Sequence, residues 1–185
     1  RVSNMGKSIH KYRKEFMEGI DLSMDYSKSH QKFLNGDRIS VSGHGEYHHD
    51  TYPALLKANG DIGFFNHGIP HRDGNLVASI RMGVTIDSGK YLGCKSDVYE
   101  WWQNGRLHRG NGPAVITIME NGKRHREYHL NGVQVNKKTF EYISNLTNDD
   151  IVLYKLEHGR NMTFNDAIKN FEHVKSGWEK YTEQD

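Results

Sequence analysis

Twelve histidines in 185 residues set the first question, because imidazole is the side chain best suited to hold a metal or move a proton near neutral pH. They are not scattered. His44 and His48 are four apart, as are His67 and His71, and His48-His49-Asp50 places two imidazoles beside a carboxylate. Two well-placed imidazoles suffice for general acid–base chemistry, so a nuclease or phosphodiesterase using His48, His71 or His108 is one reaction these residues allow. Zinc ligation is another. Cys94 adds a thiol that a neighbouring His could activate, but Gly93-Cys94-Lys95 matches no nucleophile motif and reads as a bystander in a loop. Ser42-Gly43-His44-Gly45 and Asn59-Gly60-Asp61 lack the strand-to-helix setting of a phosphate loop, and their glycines read as turns.

The histidines recur inside a hexamer: His44-Gly45-Glu46-Tyr47-His48-His49, His67-Gly68-Ile69-Pro70-His71-Arg72 and Asn104-Gly105-Arg106-Leu107-His108-Arg109. Pro53-Ala54 and Pro113-Ala114 follow the first and third copies at the same offset, while the middle copy reads as one residue shorter and has no proline. A fourth, partial copy aligns Glu127-Tyr128-His129-Leu130-Asn131-Gly132 with Glu100-Trp101-Trp102-Gln103-Asn104-Gly105, and there Val135 stands where His is expected. The glycines at 45, 68, 105 and 132 are 23, 37 and 27 residues apart, so the units vary in length. The extra length falls at 82–95, where Asp87-Ser88-Gly89-Lys90 reads as a hairpin turn.

Repetition weighs against catalysis and against zinc. An active site needs one irregular place, whereas this motif provides several equivalent ones. Equivalent positions two strands apart lie ~10 Å from each other, far beyond the ~2 Å ligand distance around one ion. The repeat histidines are therefore expected to satisfy backbone groups in their own turns, with no catalytic residue, metal ligand or cofactor assigned. Each unit reads as one hairpin: aromatic pairs such as Trp101-Trp102 suit a half-buried strand, Asn104-Gly105 is a strong two-residue turn signal, and 114–119 is a return strand. Hairpins are marginal alone and must share a face, so the expected core is Phe64, Val77, Ile80, Trp101, Ile116, Ile118 and Tyr128. Which member of each aromatic pair points inward is left open.

The string Asn-Gly-x-x-His-Arg-x-x-Gly-Pro-Ala at 104–114, with the Glu-Tyr-His-Leu-Asn-Gly that follows, resembles degenerate repeat proteins of tailed phages and large DNA viruses, which are similar to MORN repeats. The resemblance covers about residues 42–140 and is tightest in the second half. It implies an α+β fold, an antiparallel β-hairpin repeat array in a MORN-like sheet, and a phage or viral origin; it implies no reaction.

Three segments follow: an N-terminal helical segment over 1–36, the array over 37–136 and a C-terminal helical cap over 137–185. Ile9, Tyr12, Phe16 and Ile20 predict an amphipathic helix over 7–18. Further helices are predicted over 138–146, from Asn148 to Gly159, and from Thr163 through the stripe Phe164, Ile168, Phe171 and Val174. Helices at both ends would cover open sheet edges.

No run of 18 apolar residues is present to cross a bilayer, and a single cysteine excludes an internal disulfide. The chain starts at Arg1 with no visible secretory signal, so a cytoplasmic location is expected, the host cytoplasm for a viral protein. Net charge is +2, but residues 101–138 carry +5 and residues 139–185 carry −4. The local basic, aromatic surface yields the candidate binding residues Trp102, Arg106, Arg109, Arg124, Arg126, Tyr128 and His129. Trp, Tyr and Arg dominate protein interfaces, so a non-enzymatic module that binds a host or virion protein is the first reading. Nucleic-acid binding or His-dependent processing is the second, with bases on the aromatics and phosphates on the arginines. The weak overall charge disfavours it.

Overall fold

β-branched and aromatic runs separated by glycine-bearing turns leave short, alternating strands as the economical way to satisfy the backbone. The computed structural model describes residues 10–22, 30–32 and 36–145. The strands are β1 (His30–Lys32), β2 (Arg38–Ser40), β3 (Leu55–Leu56), β4 (Ile62–Gly63), β5 (Phe65–Asn66), β6 (Ile69–Pro70) and β7 (Ser79–Thr85), followed by β8 (Lys95–Glu100), β9 (Trp102–Gln103), β10 (Arg106–Leu107), β11 (Val115–Met119), β12 (Arg124–Leu130) and β13 (Val133–Val135). Among the described residues one α-helix, α1 (Lys137–Ser144), follows. Among the described residues, nine strands form an antiparallel sheet in the order β1-β2-β3-β4-β7-β8-β11-β12-β13, while β5–β6 and β9–β10 are hairpins set between its members. The sheet begins at His30, inside the part that the sequence assigns to an N-terminal helical segment.

Each hairpin prolongs a pair of sheet strands past a bend. Phe64 donates its N–H to the Ala78 carbonyl and Trp101 donates to Ala114, at 2.8 and 2.9 Å. At the same level His71 donates to the carbonyl of Phe64 and His108 to that of Trp101. The chain between, at 72–77 and 109–113, loops out and rejoins the sheet. The middle copy is therefore one residue longer between His and Ala than the other two, not shorter, as counting from His71 to Ala78 confirms. Val77 takes the place that Pro113 holds in the next unit, since each offers its carbonyl to the arginine of its own loop.

The core lies on one face. Ile62, Phe64, Val77, Ile80, Tyr99, Trp101, Ile116 and Ile118 are buried together, and Tyr12, Phe16, Met17 and Ile20 pack on them from the N-terminal side. Each such side chain contributes about 1.5–3 kcal/mol of burial free energy, so this cluster dominates the apolar stabilisation. The aromatic pairs resolve consistently: Phe64 and Trp101 are buried, Phe65 and Trp102 only partly so. Tyr128 departs from the expected core. It is half-buried, and its ring meets Phe140 of α1 at 4.9 Å in a second, smaller cluster.

The N-terminal helix differs from expectation in type and extent. Residues His10–Phe16 form a 3-10 helix, tightened by i to i+3 bonds, and the segment turns at Gly19, whose φ is +64°. The helix predicted over 138–146 is α1, started by Asn136, whose side chain accepts from the Thr139 N–H at 2.9 Å. The helices predicted beyond Asn148 lie outside the described residues. In the 82–95 insertion the connection carries a 3-10 turn, Gly89–Tyr91, and β7 bulges between Arg81 and Val84. Carboxylates from both flanking strands satisfy the bulge: Asp61 accepts from Met82 N–H and Asp97 from Gly83 N–H, at 2.8 and 2.9 Å.

Candidate functional site

The repeat histidines perform one structural task three times. Nδ1 of His48 accepts from the N–H of His67, Nδ1 of His71 from Asn104, and Nδ1 of His108 from Asn131, at 3.3, 3.1 and 3.0 Å. The three donors share a backbone conformation, with φ of +46°, +49° and +50°, as the first position of a tight primed turn requires. Each histidine thus clamps the turn of the following unit. The expectation that it serves its own turn is corrected by one register. In the first two copies the other ring nitrogen lies 3.2 Å from an exposed carboxylate, Asp50 or Asp73.

Backbone bonds run beside these clamps. The turn glycines 68, 105 and 132 donate to the carbonyls of Tyr47, Pro70 and Leu107, and His49, Arg72 and Arg109 donate to Phe65, Trp102 and His129. The side chain after each turn glycine lies over the next turn glycine. A Cβ added at Gly105 would meet Ile69 Cγ2 at 3.0 Å, and one at Gly132 would meet the Arg106 stem at 3.5 Å. A stepped ridge results, running from Glu46 over Gly68 through Ile69 to Arg106, with Tyr47 beside it against the Phe65 ring at 5.3 Å. Ile69 is 50% exposed and Tyr47 39%, both large apolar side chains left facing solvent.

The array is finished differently at its two ends. At the first turn Ser42 Oγ accepts from the His44 N–H and the Ser42 carbonyl accepts from Gly45, in place of a preceding His clamp. At the last, His-Arg gives way to Val135, buried under α1, and to Asn136, the helix cap.

The seven candidate binding residues do not form one surface. Arg109 lies 3.9 Å over the Trp101 ring, bonds Asn111 and the Pro113 carbonyl, and is depressed in basicity by burial. Arg72 does the same one unit earlier, 4.0 Å over Phe64. Arg124 donates to Glu15 at 2.8 Å, and that bond is the main reason its pKa is raised. Arg126 is exposed on the same side of β12, since residues 124, 126 and 128 alternate with 125, 127 and 129. His129 faces the other way and is 8% exposed, with Nε2 at 3.4 Å from Glu127. Trp102 repeats that arrangement one unit earlier, donating from Nε1 to Glu100 at 3.3 Å. Arg106 stands on the ridge. The sequence reading missed Ile69, whose signal is a large apolar side chain directly after a turn glycine, and Tyr47, two residues after Gly45.

Among the described residues no group of three or more His, Cys, Asp or Glu side chains is placed to hold a metal ion. Cys94 is exposed in the 86–94 connection. No helix among the described residues is long and apolar enough to cross a membrane. The chain matches no known protein family, no curated protein and no solved structure.

Proposed function

We propose that this chain is a non-enzymatic protein-interaction module that grips its partner through the turn ridge and the aromatic side chains beside it, with Tyr47, Ile69, Trp102 and Arg106 as contacts. One observation carries the reading: the Nδ1 atoms of His48, His71 and His108 are engaged in clamping neighbouring turns, so the residues best suited to chemistry hold the scaffold. The ridge supplies what an interface needs, an exposed apolar centre at Ile69 flanked by a carboxylate at Glu46 and a cation at Arg106, with Tyr47 exposed beside it. The repeated units support a MORN-like array, and the resemblance to phage and viral repeat proteins favours a host or virion protein as partner. Nucleic acid is the weaker reading, because two of the four arginines that would carry it are engaged, Arg109 within its loop and Arg124 by Glu15.

Affinity capture from host lysate tests this, with and without nuclease, using the unaltered chain beside Ile69→Asp and Arg106→Glu. A partner that survives nuclease and is lost with either variant supports the module. Capture that vanishes with nuclease and weakens steeply between low and physiological salt replaces it with nucleic-acid binding.

A further inference from the structure

Within the described residues, the apolar face of the sheet is closed by a segment that joins none of its strands. Residues 10–20 hold it mainly through side chains. Phe16 stacks on Tyr99 at 3.9 Å and 27° and meets Trp101 edge-on at 6.0 Å. Glu15 accepts from Arg124 at 2.8 Å, and Arg13 donates to the Gly60 carbonyl at 3.2 Å. Arg72 donates to the carbonyls of Glu18 and Gly19 at 3.1 and 2.8 Å.

The fit is incomplete. Tyr99 is wholly buried, yet among the described residues its hydroxyl has no hydrogen-bond partner, and neither does the buried Nε of Arg13. A buried donor without an acceptor is penalised, and a ligand that supplies the acceptor gains what the present occupant forgoes. The hydroxyl sits among the charges of Asp97, Arg13, Glu15 and Arg124, so a polar group brought there meets a prepared field.

We infer that the face beneath residues 10–20 is a docking site for a protein segment carrying a carboxylate directly before an aromatic ring, and that residues 10–20 occupy it as a built-in competitor. The occupant's chemistry is read from the seat: a ring between Tyr99 and Trp101, a carboxylate on Arg124 and a further acceptor for the Tyr99 hydroxyl. The site shares no residue with the turn ridge and stands independently of it. Opening of residues 10–20 exposes the aromatic face, and a matching segment then covers it in their place.

The test uses the full chain and a fluorescent peptide copying residues 10–22. Glu15→Ala in the chain removes an exposed contact of the competitor and leaves Arg124 free for the peptide. This variant, and Phe16→Ala beside it, should bind the peptide at least about tenfold tighter than the unaltered chain, as a larger competent fraction requires. A peptide with its own glutamate changed to Ala should lose that gain. Peptide binding that is absent from, or equal in, a Glu15→Ala chain with an unchanged melting curve overturns the inference. So does native-state hydrogen exchange in which residues 10–20 open only as slowly as β8 and β11, a readout that does not depend on either variant folding.

Discussion

Nδ1 of His108 accepts a hydrogen bond from the backbone N–H of Asn131, 23 residues further along the chain, at 3.0 Å. The bond is partly buried, so removing the acceptor strands a donor that water reaches poorly. His108→Ala should lower stability by about 1–3 kcal/mol in chemical denaturation. His71→Ala, whose equivalent bond to Asn104 is exposed, should cost less. Equal effects at the two positions would remove burial as the reason for the difference.

The same bond predicts a response to acid. Burial lowers the pKa of His108 below 6.5, and a protonated ring has no lone pair to offer Asn131. The unfolded chain therefore takes up the proton first as pH falls. Stability from this residue is complete above 6.5 and declines as pH drops from 6.5 toward the depressed folded value. Denaturation midpoints should fall between pH 7.5 and 5.5, and His108→Ala should flatten part of that fall. A midpoint that does not move over this range counts against the clamp as a titrating element.

Gly105 has φ of +74° and Ile69 Cγ2 above it, so Gly105→Ala carries two penalties. The backbone strain is about 1–2 kcal/mol, and the 3.0 Å contact adds to it. Gly132→Ala carries the strain but meets only the flexible stem of Arg106. In a double-mutant cycle, Ile69→Ala should recover the contact penalty of Gly105→Ala and leave the strain. A cycle showing no coupling would mean that the ridge does not close over the turn as described.

How far the sequence anticipates this structure is clearest at such pairs. Asn104-Gly105 and Asn131-Gly132 are readable as turns because few residues tolerate positive φ, and the buried run of β11 is readable from its β-branched residues. The partner of each histidine is not readable, because acceptor and donor are 19 to 33 positions apart and only the assembled sheet brings them together. The facing of Trp101 and Trp102 is hidden for another reason: adjacent strand residues always oppose each other, and two identical side chains give no hint of the phase. The separation of Arg126 from His129 was available from alternation along β12. Composition alone carries no record of that alternation.

Arg109 and Arg106 should separate scaffold from contact. Arg109→Ala removes the stack on Trp101 and the bonds to Asn111 and Pro113, and should destabilise the fold by about 2–3 kcal/mol. Arg106→Ala, exposed on the ridge, should change stability by less than about 0.5 kcal/mol while weakening partner capture. Thermal melts and capture assays on the two variants check this together. A stability loss confined to Arg106→Ala would reverse the assignment.

The first turn closes on Ser42 and the last on Val135 and Asn136, so neither end offers the histidine or the open turn that a neighbouring unit would need. New length can enter this scaffold only from within. A duplicated copy of residues 104–130 inserted before Asn131 would find a clamp on one side and a turn to clamp on the other. The same copy appended after Val135 would find neither. Growth in such a chain resembles adding leaves to a table, in which the two fixed ends move apart and remain as they were.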